Sequence, residues 1–446
     1  MTADQLSPTP ERPPVPTAYR WLVLVIISLA MFGNYYAYDC IAPLADVLKA
    51  QLGFSDKIIG LLNGIYSFPN IVMVLIGGVI IDRIGTRRGT LLFGTLCFLG
   101  AVLTAVSGHW MVMVAGRLLF GLGAESLIVA VTTAMAKWFR GKELSFAFGI
   151  NLMIARLGSF VAQLSPGWAK PAYDHWQWPL IIAVGFATFC ITGPIFYILL
   201  ERRAENRYAL AKEGETDKVV WGDLFKMSPS YWYMVALCVT FYSAILPFQT
   251  FAVKFFMEAH GATRESGGQL LAMLTLFAMI ATPTFGLMVD KIGKRALFMM
   301  FGSLLLIPVY LMMGYSSLSL FVPMAMMGIA YSLVPAIMWP SVAYIVEQKK
   351  LGTAYGLMTA IQNVGLFAFN VIVGFANDHW NASAANPGGY HAGMWIFSCL
   401  GFFGLLFSFL LRRSETGPHG HGLETIVART QAPPDAAAEA ASEAER

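Results

Sequence analysis

The chain has 446 residues, of which 57% are hydrophobic and only 13% are charged. Soluble globular domains are about one-quarter charged, so this composition excludes an ordinary water-soluble protein. The formal net charge of +4 does not indicate a nucleic-acid partner, because the basic residues lie in short loops between apolar runs. The five cysteines lie in apolar runs without zinc-ligand spacing, and no nucleotide-binding or catalytic motif is present. We therefore expect no metal, no cofactor and no enzymatic activity.

Apolar runs of about 20 residues, long enough to cross a hydrocarbon core of about 30 Å, recur along the chain. They lie near 20–45, 58–81, 88–107, 110–137, 143–168, 178–200, 231–257, 267–289, 295–315, 318–346, 352–377 and 391–411. The polar segment 201–230 separates the sixth run from the seventh. The sequence therefore predicts an all-α integral membrane protein with twelve transmembrane helices, in two six-helix halves at 19–200 and 231–411.

The polar segments and the basic residues predict an orientation. Residues 1–18 and 412–446 are interpreted as disordered tails, and 201–230 as a linker. Next to the predicted spans, 21 Lys and Arg residues lie on the side of the two termini and four lie in the opposite loops. The positive-inside rule therefore places both tails and the linker in the cytosol.

The two predicted halves carry related segments. GGVIIDRIGTRR follows the second run and GLMVDKIGKR follows the eighth, so that Asp82 and Asp290 are 208 residues apart. Matching glycines near the start of the fifth and eleventh runs, Gly149 and Gly356, are 207 residues apart. Two offsets that agree within one residue indicate duplicated halves, an arrangement found in many secondary transporters.

The repeated Asp-basic-Ile-Gly turns and the glycine-rich segment from Arg117 to Gly123 resemble the major facilitator superfamily, from about Tyr19 to Arg413. Several stretches are similar to the dipeptide transporters grouped with major facilitator superfamily domain-containing protein 1, a lysosomal member. These include NYYAYD (34–39), YSFPNIV (66–72), GRLLFGLGAESLIVA (116–130), WFRGKELSFAFG (138–149), ARLGS (155–159) and LVPAIMWPSVAYIV (333–346). The resemblance implies the major facilitator fold and a uniporter that moves small zwitterionic solutes, above all dipeptides, by alternating access.

Two charged residues inside predicted helices are the leading site candidates. Glu125 lies midway along the fourth helix and Arg156 midway along the fifth. A charge at the bilayer centre costs roughly 2.5–3.5 kcal/mol, so such residues usually face a partner or a water-filled cavity. One alternative is a closed structural ion pair between these adjacent helices. The family resemblance implies the other, in which Glu125 binds the amine of a dipeptide and Arg156 binds its carboxylate.

Further polar and aromatic residues are predicted to surround this pair. Ser159 and Gln163 follow Arg156 at helical spacing and therefore share its face. For each Tyr, Asn or Trp, packing between helices is the alternative to contact with a substrate. The predicted substrate-binding set is Glu125, Arg156, Tyr35, Tyr38, Asp39, Ser159, Gln163, Trp339 and Asn363.

The repeated turns are predicted to act as conformational latches at the cytoplasmic gate. An Asp that pairs with an adjacent helix end would hold the gate closed until the halves rock apart. A simple positive-inside anchor is the alternative for part of this charge. The predicted gating set is Asp82, Arg83, Arg87, Asp290, Lys291 and Arg295.

Two further basic residues lie inside apolar runs. Arg117 is eight residues from Glu125 on the same predicted helix. Its resemblance to a motif of the superfamily's fourth helix implies a role in proton coupling, and a structural role through a backbone or Asp39 partner is the alternative. Lys254 lies near the outer end of the seventh run, and we expect its side chain to extend to the lipid headgroups.

Other functions stay open at this point. A proton-coupled peptide symporter is one, because Asp39 and Glu125 could titrate, although NYYAYD lacks the paired-glutamate motif of proton-coupled peptide transporters. An organic-anion carrier is another, with Arg156 as its single anchor. A membrane sensor that keeps the fold but only binds a ligand is the third.

The sequence also suggests where the protein acts. The N-terminal segment has no dileucine signal, and Asn381-Ala382-Ser383 is the single glycosylation sequon. We therefore expect a multi-pass protein of a bacterial inner membrane. Its expected partners are the bilayer and a small-molecule substrate. The family resemblance implies a monomer, and we do not expect it to need the accessory subunit of the lysosomal relatives.

Overall fold

A computed structural model describes residues 13–139, 143–208, 227–347, 350–418 and 420–425, and this part of the chain is almost entirely α-helical. The helices are α1 (Thr17–Asp39), α2 (Ala45–Leu52), α3 (Asp56–Gly64), α4 (Ser67–Val106), α5 (Trp110–Phe139), α6 (Leu144–Gln163), α7 (Ser165–Trp168), α8 (Gln177–Ala187), α9 (Phe189–Arg207), α10 (Pro229–His260), α11 (Arg264–Ile292), α12 (Arg295–Tyr315), α13 (Phe321–Ile345), α14 (Leu351–His379) and α15 (His391–Glu415).

Eleven helical stretches of the described chain are long and apolar enough to cross a membrane. One of them, Asp56–Val106, is 51 residues long and includes both runs predicted at 58–81 and 88–107. Within α4, Gly85 has φ 80° and ψ 160°. A Cβ added to Gly89 would lie 3.2 Å from Ile81, whereas a straight helix would separate these residues by about 12 Å. The chain therefore folds back at Gly85, and the predicted count of twelve crossings depends on counting this stretch as two.

Replacing Gly85 should test this turn. Its backbone conformation is essentially restricted to glycine, so we expect Gly85→Ala to lower the free energy of unfolding by about 1–3 kcal/mol. The measurement is the thermal unfolding of the purified protein. Gly78→Ala is the matched control, because Gly78 lies in the same helix with no atom within 4 Å of an added Cβ. Equal melting temperatures for the two variants would contradict the prediction.

The chain packs as two halves that meet along a few helices. In the first half α4 packs against α5 and α1 against α6, and in the second half α11 packs against α13 and α12 against α15. Between the halves, α3 and α4 contact α14, and α6 contacts α11. Glycines lie at a close approach between α3 and α14: an added Cβ on Gly60 would overlap the Asn370 carbonyl, and one on Gly374 would overlap the Asp56 carbonyl. The absence of side chains here lets the halves touch backbone to backbone.

The two faces of the bundle differ in how the halves are joined. We call the face at the start of α1 and the end of α15 the terminal face, and the opposite one the distal face. Among the described residues, the ion pairs between the halves all lie at the distal face. They are Lys254–Asp56 at 2.7 Å, Arg264–Asp46 at 2.5 Å and Lys170–Glu265 at 2.6 Å. The halves are therefore held closed at the distal face.

Lys254 corrects one prediction. Its side chain does not extend to the headgroups, because it is fully buried and its Nζ atom bonds the buried Asp56 carboxylate at 2.7 and 2.8 Å. The Tyr390 hydroxyl accepts a further hydrogen bond from Nζ at 2.9 Å, and Glu258 lies 3.5 Å away. The prediction was wrong because the Asp56 carboxylate, which belongs to the other half, lies close enough to pair with the Lys254 ammonium group inside the protein.

Two segment boundaries in the structure differ from the predicted ones. The predicted tail 412–446 begins too early, since α15 extends to Glu415 and residues 420–425 pack back on α12. Glu424 accepts hydrogen bonds from the backbone N–H of Ala296 at 2.8 Å and of Lys294 at 3.0 Å, and Leu423 is buried. These contacts satisfy free N–H groups at the start of a helix. The linker predicted at 201–230 is shorter, because α9 continues to Arg207. Residues 1–12, 209–226 and 426–446 lie outside the described residues.

Candidate functional site

A cavity of about 640 Å³ lies between the two halves. This volume falls within the range of roughly 300–1,000 Å³ that small-molecule sites usually have. The first half contributes residues of α1, α5 and α6, and the second half contributes residues of α10, α11, α13 and α14. Its polar and aromatic lining residues are Asn34, Tyr35, Tyr38, Asp39, Tyr66, Glu125, Arg156, Gln163, Tyr242, Gln249, Thr275, Thr282, Tyr331, Trp339, Thr359, Gln362 and Asn363.

The structure brings eight of the nine predicted substrate-binding residues to this cavity. They are Tyr35, Tyr38, Asp39, Glu125, Arg156, Gln163, Trp339 and Asn363. Ser159 is the exception: it is buried and is not among the residues that line the cavity.

Glu125 and Arg156 both face the cavity, and between them no ion pair within 4.0 Å is formed in the described structure. Glu125 instead accepts a hydrogen bond of 3.4 Å from the Tyr66 hydroxyl. The Arg156 guanidinium lies 5.9 Å from the Tyr331 ring centre, and its Nη1 atom is buried without a hydrogen-bond partner among the described residues. A buried guanidinium N–H without an acceptor is costly, so this group is available to an incoming anion.

Arg117, in contrast, is fully engaged in the protein. Its guanidinium donates to the backbone carbonyls of Leu62 at 3.1 Å, Ala37 at 2.9 Å and Tyr38 at 3.2 Å, and to the Asn63 side chain at 3.1 Å. Backbone carbonyls therefore supply most of its acceptors. This agrees with the alternative in which Arg117 is structural and has a backbone partner. Arg117 ties the end of α1 to α3 and thereby fixes the backbone next to Asp39.

The second half presents three aromatic side chains, Tyr242, Tyr331 and Trp339, which we call the aromatic wall. The Trp339 indole N–H donates to the Tyr242 hydroxyl at 2.9 Å, and the rings of Tyr242 and Tyr331 lie 6.5 Å apart. Behind the wall, the Tyr355 hydroxyl donates to the Trp339 carbonyl at 2.9 Å. These contacts lock the orientation of Trp339, which has Pro335 and Pro340 on either side of it in α13.

Amide side chains supply further polar groups. The Gln163 carbonyl oxygen accepts a hydrogen bond of 2.6 Å from Thr275, which joins α6 of the first half to α11 of the second. Asn363 donates to the Thr359 carbonyl at 3.0 Å, and its Oδ1 atom is buried without a partner among the described residues. Asn363 therefore offers a free acceptor beside the aromatic wall.

Several polar and aromatic lining residues were absent from the predicted substrate-binding set, namely Asn34, Tyr66, Tyr242, Gln249, Thr275, Thr282, Tyr331, Thr359 and Gln362. Gln249 and Gln362 could have been predicted from the sequence. An amide side chain inside a membrane helix costs free energy unless it faces a polar partner or a cavity. The tyrosines could not have been predicted, since a single tyrosine in an apolar run does not show which way its side chain faces.

The predicted gating residues lie at the terminal face, and the described ion pairs of Arg87, Asp290 and Arg295 stay within one half. Arg295 pairs with Asp290 at 2.6 Å across the turn between α11 and α12. Arg87 pairs with Glu201 at 2.6 Å and with Glu205, both on α9 of the same half. Asp82, Arg83 and Lys291 lie on the same turns. Their role as latches stays a prediction.

The chain is similar in sequence to known membrane transporters. The family model described as Major Facilitator Superfamily matches residues 27–256 and again 246–434. The Homo sapiens lysosomal dipeptide transporter MFSD1 is 34% identical over 380 residues, which cover 81% of this chain and 80% of the relative. The hexuronate transporter of Escherichia coli K12 is 27% identical over 164 residues, covering 37% of this chain and 38% of the relative.

A solved structure shows the same fold. It is a bacterial homologue of the human lysosomal transporter Spinster in an inward-facing, unoccupied conformation, with a TM-score of 0.69 and 16% identity. The match covers 90% of this chain and 98% of that structure. At this identity the likeness establishes the arrangement of the helices and nothing about the ligand.

Proposed function

Because the chain belongs to the major facilitator superfamily and is a membrane transporter rather than an enzyme, we propose that it carries zwitterionic dipeptides by alternating access, as a uniporter. The observation that carries this proposal is the pair of opposite charges, Glu125 and Arg156, which line one cavity without neutralising each other. The similarity to a lysosomal dipeptide transporter over four-fifths of both chains supports the same substrate class.

A free dipeptide matches the two anchors. Its ammonium group would pair with the Glu125 carboxylate, and its carboxylate would accept two parallel hydrogen bonds from the Arg156 guanidinium. Each interaction would satisfy a side chain that the protein leaves incompletely paired. Since the cavity lies in a low-dielectric interior, these charge-assisted bonds are stronger than they would be in water.

The charge of the lining argues against the organic-anion alternative. Asp39, Glu125 and Arg156 are the charged residues among the described lining, so two carboxylates face one guanidinium. A dicarboxylate would place two further carboxylates beside Asp39 and Glu125 with a single guanidinium to pair with, whereas a zwitterion brings one group for each kind of anchor. The hexuronate transporter of Escherichia coli is similar over only about a third of this chain.

The closed distal face defines the proposed transport state. If both termini are cytosolic, as the basic loops predict, the distal face is extracytoplasmic, and we propose that substrate enters and leaves the cavity on the cytosolic side in this state. We place the protein in a bacterial inner membrane as a monomer that acts without an accessory subunit. Rocking the halves about the cavity would break the distal ion pairs and close the terminal face.

Ligand-dependent thermal stability tests the substrate class. Binding to the folded state alone stabilises a protein by RT ln(1 + [L]/Kd), about 2.7 kcal/mol at a hundredfold excess over Kd. We expect Ala-Ala to raise the melting temperature of the purified protein, and N-acetyl-Ala-Ala, Ala-Ala amide, alanine and succinate to have little effect. Stabilisation by succinate, or by the amine-blocked peptide as strongly as by Ala-Ala, would overturn the proposal in favour of an anion carrier.

Flux measurements test the transport mode. In proteoliposomes, uniport predicts Ala-Ala uptake that follows the peptide gradient and does not accumulate peptide when only a pH gradient is imposed. Accumulation driven by the pH gradient would instead identify a proton symporter. Selective binding with no flux under either gradient would favour a membrane sensor.

A further inference from the structure

The two halves contribute different chemistry to the cavity. All three charged lining residues, Asp39, Glu125 and Arg156, belong to the first half. The described lining residues of the second half carry no charge and consist of aromatic, amide, hydroxyl and aliphatic side chains. The first half therefore supplies the charged residues that would bind the two charged ends, which every dipeptide has. The part that differs between dipeptides, their side chains, can contact uncharged lining residues of both halves, and in the second half these include the aromatic wall.

The aromatic wall adjoins the Arg156 anchor. The Arg156 guanidinium lies 5.9 Å from the ring centre of Tyr331, the ring of Tyr331 lies 6.5 Å from that of Tyr242, and Tyr242 is hydrogen-bonded to Trp339. These contacts form a continuous path from the carboxylate anchor into the wall. Glu125 contacts a different aromatic residue, Tyr66, whose hydroxyl is already used to hold the carboxylate.

The covalent structure of a dipeptide then decides which side chain meets the wall. The carboxylate and the side chain of the C-terminal residue are attached to the same carbon, so anchoring one places the other beside it. The side chain of the N-terminal residue starts next to the amine and hence near Glu125. A large ring bound beside Arg156 would lie against Tyr331 and Trp339, where offset or edge-to-face contacts stabilise aromatic pairs.

We propose that the aromatic wall makes the transporter selective for the order of residues in a dipeptide, with an aromatic side chain favoured at the C-terminal position. This inference rests on the proposed function, since it takes the Arg156 end as the carboxylate site. It assigns Tyr242, Tyr331 and Trp339 as specificity-determining residues for the C-terminal side chain.

Two dipeptides of identical composition test this inference. Ala-Phe and Phe-Ala have the same mass, charge and apolar area, so a difference between them reports position alone. By calorimetric titration of the purified full-length protein, we expect Ala-Phe to bind roughly tenfold more tightly than Phe-Ala, as one additional aromatic pair would provide. Equal Kd values, or tighter binding of Phe-Ala, would overturn the inference while leaving dipeptide binding intact. Failure of both peptides and of Ala-Ala to bind would overturn the proposed function as well.

Variants then locate the selectivity. We expect Trp339→Leu to bring the ratio of the two Kd values close to one, and Trp339→Phe to retain a clear preference. Tyr331→Leu provides an independent second variant if Trp339→Leu does not fold. Trp178→Leu is the matched control, because Trp178 is 56% exposed on the outside of the bundle and should leave the ratio unchanged. A ratio that persists in both wall variants would show that the wall does not determine selectivity.

Discussion

Arg156→Gln should weaken Ala-Ala binding by roughly 30-fold or more, the equivalent of at least about 2 kcal/mol. Glutamine keeps a hydrogen-bond donor but removes the charge and the planar fork that pairs with a carboxylate. The peptide carboxylate would then be transferred from water into the cavity without a cation. Removal of one partner from such a buried charged contact is among the most costly changes at a binding site. Calorimetric titration of the purified variant measures the effect.

Glu125→Gln should weaken Ala-Ala binding by a similar factor, but the selectivity of this variant among blocked peptides should differ from that of Arg156→Gln. Without the carboxylate, blocking the peptide amine should no longer matter, so N-acetyl-Ala-Ala and Ala-Ala should bind this variant about equally weakly. In the same way, Arg156→Gln should no longer distinguish Ala-Ala from its amide. This crossed pattern separates loss of one anchor from general damage to the fold.

Matched controls carry the same chemical change outside the cavity. Glu347 and Arg413 are exposed, and neither lines the cavity. Glu347→Gln and Arg413→Gln should therefore bind Ala-Ala with the affinity of the unmodified protein. If Glu125→Gln binds and transports Ala-Ala normally, Glu125 is structural and the two-anchor proposal is wrong.

The second large effect concerns the distal face, where Lys254→Met should lower the free energy of unfolding by about 3 kcal/mol or more. The substitution keeps the apolar stem but leaves the Asp56 carboxylate, which is fully buried, without its closest cation. Lys49 remains 3.2 Å from Asp56 and is one-third exposed, so it compensates only in part. Thermal unfolding of the purified variant measures the loss.

A double-mutant cycle tests whether this pair acts as a unit. Asp56→Asn should also destabilise the fold, and the Asp56→Asn/Lys254→Met variant should lose less than the two single changes together, because no unpaired buried charge remains. Lys170→Met is the matched control: Lys170 also joins the halves, but its side chain is 75% exposed. This change should leave the melting temperature nearly unchanged. Additive losses for Asp56 and Lys254 would show that the two side chains do not depend on each other.

The sequence was sufficient for the fold and for the two central charges. Bilayer thickness fixes the length of a crossing, and the paired turns reveal the duplication, so the helical halves follow from the chain alone. Glu125 and Arg156 stand out because a charge in the middle of a membrane helix must face something polar. Both residues indeed line the cavity.

Contacts between distant segments set the limit of prediction. Lys254 was misplaced because its partner, Asp56, is 198 residues away, and no local pattern links the two. Tyr242 and Tyr331 were not recognised because their orientation depends on how α10 and α13 are rotated in the packed bundle. The segment containing Glu424 was predicted to be disordered because its polar composition does not reveal that it covers the start of α12.

The division of chemistry between the halves has a consequence for the transport cycle. A dipeptide held at both ends by Glu125 and Arg156 would be bound to a single rigid body, the first half. When the halves rock, the peptide would travel with that body while Tyr242, Tyr331 and Trp339 move relative to it. The peptide side chain would then make different contacts with the aromatic wall in each conformation. A side chain that fits poorly would slow the conversion between conformations as well as weaken the initial binding.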